Sequence, residues 1–141
     1  MDALDYLKID HNRVKNLLRS YSGMQDQLKK KQTLKELLAE LSNHTEIEET
    51  LFYPHFDDRV EMKAILEHLH QDHADFEVLA GKVQFNTDDS LFDEFASEIE
   101  RHVLREEMEL FPLIRRMMKR SEREVLGRHL QCQKTGNLRT A

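Results

Sequence analysis

The chain has 141 residues, enough for one domain with its own core, and we expect a single domain. Four Gly and two Pro are too few for an all-β protein, whereas the abundant Leu, Glu, Lys and Arg favour helix. A net charge of −6 without a basic cluster argues against a nucleic-acid partner, and the lack of a long apolar run or signal-peptide pattern argues against a membrane.

The first two predicted helices each carry histidine within an apolar stripe. Between Leu4 and Tyr21 apolar residues recur every three or four positions, and His11 stands in the middle of them. The second stripe, Leu34–Leu51, contains His44 and Glu48, which share a helix face because they are four residues apart. A proline soon afterwards lacks a backbone N–H and should kink or end this helix.

The third and fourth predicted helices repeat this arrangement. The stripe Met62–Val83 has His73 at its centre. An Asp-Asp-Ser segment then favours a new helix start, and the stripe Phe92–Leu113 contains His102 and Glu106, again four apart. A proline follows here too, but the apolar residues beyond it indicate a kinked helix that continues.

Four stripes with short connections predict an all-α, up-down-up-down four-helix bundle. We expect a short C-terminal helix from Ser121 to about Leu130, a bundle domain at residues 1–132 and a flexible tail at 133–141. His44 and His73 lie at similar sequence distances from the predicted turn at Asp58. His73 and His102 are related in the same way to the turn near Thr87. Antiparallel neighbours would therefore bring the histidines to one level.

The chain consists of two related halves. His44–Pro54, HTEIEETLFYP, recurs as His102–Pro112, HVLREEMELFP, with His, two adjacent Glu and Pro at the same spacing. Upstream, Asp10-His11 is matched by Asp72-His73. Each half thus supplies one lone His and one His-x-x-x-Glu.

These polar residues on apolar stripes predict a metal site. A single buried His is more often structural, but two carboxylates facing four imidazoles carry a large desolvation cost that a bound metal pair would compensate. Imidazole and carboxylate ligands without cysteine suit Fe, Mn, Co or Zn. The predicted ligands are His11, His44, Glu48, His73, His102 and Glu106. We expect two metals, each held by two imidazoles, with the two glutamates bridging.

The repeated His and His-x-x-x-Glu series, with Glu-Glu and a following Phe-Tyr-Pro or Leu-Phe-Pro, resembles the hemerythrin-like, HHE cation-binding family over roughly residues 2–118. The resemblance implies an oxo- or hydroxo-bridged pair of iron ions held by the six residues named above, with Mn or Zn as alternatives. Oxygen-carrying members have a His pair four apart on the third helix. Here Leu69 and Glu77 flank His73 at that spacing. With four imidazoles, two bridging carboxylates and an oxo or hydroxo bridge, each octahedral metal would keep one open position.

The resemblance implies a small ligand, namely dioxygen, peroxide or nitric oxide, and leaves open whether the site turns it over. An alternative is an iron- or oxygen-sensing module whose stability depends on the metal. We expect a monomer or weak dimer and, from the lone Cys132, a cytoplasmic location.

Four further residues lie close to the predicted ligands in the sequence. His70 is either an extra ligand or a surface residue. Glu49 and Glu107 either hydrogen-bond ligand imidazoles or face solvent. By helical-wheel position, Tyr53 is expected to lie off the ligand face.

Overall fold

The computed structural model describes the backbone of residues 1–86 and 88–140, with side chains described as far as Gln133, and this part contains helices and no strands. The predicted all-α class is confirmed. Among these helices, none has an apolar stretch long enough to cross a bilayer. Thr87, in a predicted turn, and Ala141, the end of the predicted tail, lie outside the described residues.

The helices, in chain order, are α1 (Ala3–Gly23), α2 (Gln27–Ile47), α3 (Lys63–Phe85), α4 (Asp89–Arg105), α5 (Phe111–Met117) and α6 (Arg120–Thr140). Two short 3₁₀ segments, Tyr53–Phe56 and Val60–Met62, lead from the end of the α2 region to α3. Helices α1, α2 and α4 each begin after an aspartate whose side chain accepts hydrogen bonds from first-turn N–H groups. These caps are Asp2, Asp26 and Asp88.

A π-helical turn follows α2 and another follows α4, at equivalent places in the two halves. The first covers Glu48–Phe52 and the second Glu106–Leu110. The backbone N–H of Tyr53 donates a hydrogen bond to the carbonyl of Glu48, and the N–H of Phe111 donates one to the carbonyl of Glu106. A π-helical turn holds one residue more than an α-helical turn, so the side chains beyond it are rotated relative to an unbroken α-helix.

Two apolar clusters fill the bundle, one on each side of the histidine positions. The first joins the beginnings of α1 and α3 to both π-helical turns, α5 and α6, and includes Leu7, Phe52 and Leu69. The second joins the ends of α1 and α3 to the beginning of α2 and to α4, and includes Leu37 and Phe95. Such pairing of beginnings with ends is what antiparallel neighbours produce. The histidines lie along each helix between the segments that form the two clusters.

Helix α6 is longer than expected and packs against the start of α1. It runs to Thr140, through residues expected to form a tail, rather than ending near Leu130. Its Arg123 Nε lies 3.2 Å from Asp2 Oδ2, so the ion pair joins α6 to the cap of α1. Gly127 allows the close approach, because a Cβ there would lie 2.8 Å from the backbone oxygen of Met1. The absence of a side chain at this one position lets α6 close the end of the bundle.

Candidate metal centre

The structure brings all six predicted ligands together, in two groups of potential donor atoms. The first group is His11, His44, Glu48 and Glu106, and the second is Glu48, His73 and His102, with the donor atoms of each group within 4.8 Å of one another. Glu48 belongs to both groups. Its Oε1 lies 3.2 Å from His44 Nε2 and 3.0 Å from His73 Nε2, so it connects the two halves of the chain.

Glu106 also spans the two halves, but it uses both of its oxygens. Its Oε1 lies 3.2 Å from His11 Nε2, and its Oε2 lies 3.4 Å from His102 Nε2. Both inner glutamates are fully buried, and the four imidazoles are 1 to 6 % exposed. The groups therefore form a closed polar layer between the two apolar clusters.

An outer carboxylate lies beside the Nδ1 atom of every one of these histidines. The closest are Glu107 Oε2, 2.6 Å from His11 Nδ1, and Asp72 Oδ2, 3.0 Å from His102 Nδ1. Their counterparts in the repeat are Asp10, 3.1 Å from His44 Nδ1, and Glu49, 3.5 Å from His73 Nδ1.

These outer contacts determine which ring nitrogen faces the centre. A carboxylate can only accept, so Nδ1 carries the proton and the Nε2 lone pair points inward, as it does in metal-bound histidines. His73 Nε2 and His102 Nε2 then lie only 3.2 Å apart. The two Nε2 lone pairs repel each other at that distance and also face carboxylate oxygens. A proton or a metal ion between them would remove this repulsion.

The pKa values of the four histidines also show that the cluster favours positive charge. Burial lowers the pKa of His44, but Glu48 and Asp10 outweigh it and raise that pKa to about 10. The pKa values of His11, His73 and His102 are also raised, because hydrogen bonds to carboxylates oppose the effect of burial. Without another cation, the cluster draws in protons.

The carboxylates respond in the opposite direction. Burial raises the pKa of Glu48, but the imidazoles of His44 and His102 hold it well below its usual value. The hydrogen bond to His102, together with Arg105, whose Nη1 lies 2.6 Å from Asp72, likewise lowers the pKa of Asp72 against the effect of burial. The carboxylates therefore remain charged and attract cations.

Tyr53 was expected to lie off the ligand face, and that expectation is wrong. Its hydroxyl donates a 2.6 Å hydrogen bond to Glu106 Oε2 and lies 3.4 Å from His73 Nε2. The wheel position assumed unbroken α-helix after Glu48, whereas the π-helical turn rotates Tyr53 towards the centre. Because burial and Glu106 disfavour the phenolate, the pKa of Tyr53 is raised well above its usual value.

His70 lies outside both donor groups but contacts the outer carboxylates. Its side chain is 43 % exposed, and its Nδ1 lies 2.5 Å from Glu49 Oε2. Glu49 thus lies between His70 and His73 rather than facing only solvent. Of the two roles considered for Glu49 and Glu107, contact with a donor imidazole is the one observed.

The sequence carried signals for the residues that were missed. Asp10 and Asp72 precede the lone histidines in both halves, and this echo marked them before any role was assigned. The matching prolines, Pro54 and Pro112, stand at the same distance after the inner glutamates and just beyond both π-helical turns. A proline cannot donate the next helical hydrogen bond, so an altered turn before it is physically reasonable.

The residues present fit a pair of metal ions. Inward lone pairs and buried oxygens meet in one layer, and His11 Nε2, His44 Nε2, Glu48 Oε2 and Glu106 Oε1 are buried without a well-aligned hydrogen bond. Mixed imidazole and carboxylate donors suit divalent and trivalent first-row metals. Such a centre can bind small ligands and act as a Lewis acid.

The comparisons agree with this geometry. A family model described as the hemerythrin HHE cation binding domain matches residues 2–114, which include all six inner donors. Searches of curated proteins and of solved structures returned no significant match. Because the family model covers most of the chain, the chain belongs to the hemerythrin HHE cation-binding domain family.

Proposed function

We propose that this chain is a non-haem di-iron protein that binds dioxygen or a related small species such as peroxide or nitric oxide. In this proposal His11 and His44 would hold one iron, His73 and His102 would hold the other, and Glu48 and Glu106 would supply carboxylate oxygens to both. The observation that carries the proposal is the pair of buried donor groups sharing Glu48. The family match supports a cation site without specifying the metal or the ligand.

Charge balance supports a pair of multiply charged cations. Two inner and four outer carboxylates surround the four imidazoles, namely Glu48, Glu106, Asp10, Glu49, Asp72 and Glu107. Among the described arginines, Arg105 Nη1 lies 2.6 Å from Asp72 Oδ2, and the half-exposed Arg13 has its Nη1 3.7 Å from Asp10 Oδ1. Two ferrous or ferric ions would supply most of the missing positive charge, and imidazole with carboxylate is a suitable ligand set for iron.

Access to the centre supports a small ligand. A groove of about 550 Å³ between α2 and α3 reaches His73 and Glu49. His73, at 6 % exposed, is the most accessible of the six inner donors. Phe76 packs against both His73 and His102, with ring centroids 5.3 Å apart in each case. The groove therefore leads towards the His73 side, while aromatic packing limits the space for larger molecules and water.

The metal assignment is tested by elemental analysis of protein purified without added metal, with visible spectra before and after exposure to air. The expected result is about two irons per chain. His73→Gln should lower the bound iron, whereas His129→Gln, at an exposed position on α6, should not. Two irons retained in His73→Gln, or another metal in place of iron, would overturn the assignment.

The ligand is tested separately on the iron-loaded protein. Nitric oxide titration should change the visible spectrum with saturation, and stopped-flow mixing should show peroxide consumption faster than that of free iron. A spectral response to nitric oxide without faster peroxide consumption would support ligand binding but would contradict peroxide turnover. No response to dioxygen, peroxide or nitric oxide would reject the small-ligand function.

A second candidate function is an iron- or oxygen-sensing module. The observation that favours it is the closed polar layer that separates the two apolar clusters, because an uncompensated layer would weaken the whole bundle. Circular dichroism under native conditions, with and without chelator, discriminates between the functions. A sensor should lose helical structure when metal is removed, whereas a rigid ligand-binding protein should keep it under native conditions.

A further inference from the structure

The internal repeat places Tyr53 and Phe111 at equivalent positions, and both rings lie flat against a histidine of the other half. The Tyr53 ring stacks on His73 with centroids 5.4 Å apart and planes 20° apart. The Phe111 ring stacks on His11 at 6.2 Å and 10°. Both are fully buried and follow a π-helical turn. Their packing roles match, and the difference between them is the phenol hydroxyl.

That hydroxyl accompanies a difference between the two bridging glutamates. Tyr53 donates to Glu106 Oε2 at 2.6 Å, and Glu106 divides its oxygens between His11 and His102. Glu48, which has no hydroxyl from Phe111, directs Oε1 alone towards its histidines, and its Oε2 is buried without a hydrogen bond. The two carboxylates thus occupy related places with different orientations.

The two donor groups also differ in whether they include Glu106. Glu106 joins His11, His44 and Glu48 in the first group, whereas the second group contains Glu48, His73 and His102 alone. A hydrogen bond to Glu106 Oε2 withdraws charge from the oxygen that faces His102 and leaves Oε1 towards His11. The metal position beside His11 and His44 therefore has Glu106 as a stronger donor than the position beside His73 and His102 has.

We propose that the Tyr53 hydroxyl makes the two metal positions unequal by holding Glu106 towards the His11–His44 position, which then binds its metal more tightly. Tyr53 acts through Glu106 as a positioning residue. This inference rests on the proposed pair of metals but concerns their relative affinities and not the small ligand. Hydrogen bonds to charged groups are strong enough to change an equilibrium by about tenfold or more.

The test is Co²⁺ binding to the metal-free full chain, followed by calorimetry and by the visible absorption of the bound ion. The wild-type chain should bind two Co²⁺ in separable steps that differ by about tenfold or more. Tyr53→Phe should retain two bound ions and narrow the ratio of the two affinities by at least about threefold. Tyr21→Phe is the control, because its ring packs on Phe92 in the second apolar cluster, and it should keep the wild-type ratio.

The equivalent position in the repeat distinguishes positioning from packing. Phe111→Tyr, with a hydroxyl in both halves, should also narrow the ratio, since the buried and unpartnered Glu48 Oε2 could then accept a hydrogen bond. The double variant Tyr53→Phe/Phe111→Tyr again has one hydroxyl, so its two Co²⁺ affinities should differ by about as much as in the wild-type chain. A loss of packing would not restore that difference. If Tyr53→Phe fails to fold, Phe111→Tyr still provides the comparison.

The outcomes separate this inference from the proposed function. Two Co²⁺ bound with equal affinity by the wild-type chain would overturn the inference, as would an unchanged ratio in a folded Tyr53→Phe chain or, if that variant does not fold, in Phe111→Tyr. In either case the two-metal site would stand. Binding of fewer than two ions by the wild-type chain would overturn the two-metal site and the inference together.

Discussion

The outer carboxylates provide a graded prediction about metal affinity. Glu107 Oε2 lies 2.6 Å from His11 Nδ1, whereas Glu49 lies 3.5 Å from His73 Nδ1 and also contacts His70 at 2.5 Å. Loss of a carboxylate behind a ligand histidine typically costs about 10- to 100-fold in metal affinity, or about 1.4 to 2.8 kcal/mol. We expect Glu107→Gln to fall within that range and Glu49→Gln near or below its lower end, because its contact with the histidine is longer and shared.

The assay is competition for Co²⁺ between each variant and a chelator of known affinity, with circular dichroism to verify the fold. Glu109→Gln is the control, because Glu109 lies on the same π-helical turn as Glu107 but is 61 % exposed and contacts Arg105 instead of a histidine. It should bind Co²⁺ like the wild-type chain. Equal losses in Glu107→Gln and Glu109→Gln, or a larger loss in Glu49→Gln than in Glu107→Gln, would refute the argument from contact distance.

Removal of metal with a chelator should lower the free energy of unfolding measured by urea denaturation, because the buried carboxylates lose their compensating charge; equal stability with and without metal would contradict this. Gly127→Ala should destabilise the chain by about 1 to 3 kcal/mol, because the new Cβ would meet the Met1 backbone at 2.8 Å, and this exceeds the gain of about 1 kcal/mol in helix propensity. Gly81→Ala should instead stabilise the chain by about 0.5 to 1 kcal/mol, since its Cβ meets nothing within 4 Å. The same sign of change in both glycine variants would contradict the packing argument.

The sequence predicted the layer of inner donors because its signal is periodic and occurs twice. His44 and Glu48 are four residues apart on an unbroken stretch of helix, so their shared face follows directly from the helical repeat. The position of His11 within an apolar stripe likewise required that it face the core. Convergence then depended only on helix lengths and short connections, which the charged turn residues indicated.

The sequence predicted less where backbone geometry departs from the α-helix. Tyr53 reaches Glu106 only because a π-helical turn precedes it, and a wheel with a constant angle per residue cannot represent that turn. The end of α6 was missed for another reason. The residues from Gln133 onward are mostly polar, so no apolar stripe marked the continuation of the helix to Thr140.

The position of the polar layer connects the two proposed functions, because it would make the stability of the bundle depend on metal binding. Each buried ion costs several kcal/mol to remove from water, whereas a domain is typically stable by only about 5 to 15 kcal/mol. Glu48 and Glu106 are both fully buried between the apolar clusters. Without a compensating positive charge, they would therefore lower the free energy of unfolding by a large fraction of its total. Because the inner donors come from α1, α3 and the two regions that contain α2 and α4, cations that balance them would also connect these four helices. A change at the centre that weakens metal binding should then also lower the free energy of unfolding of the bundle.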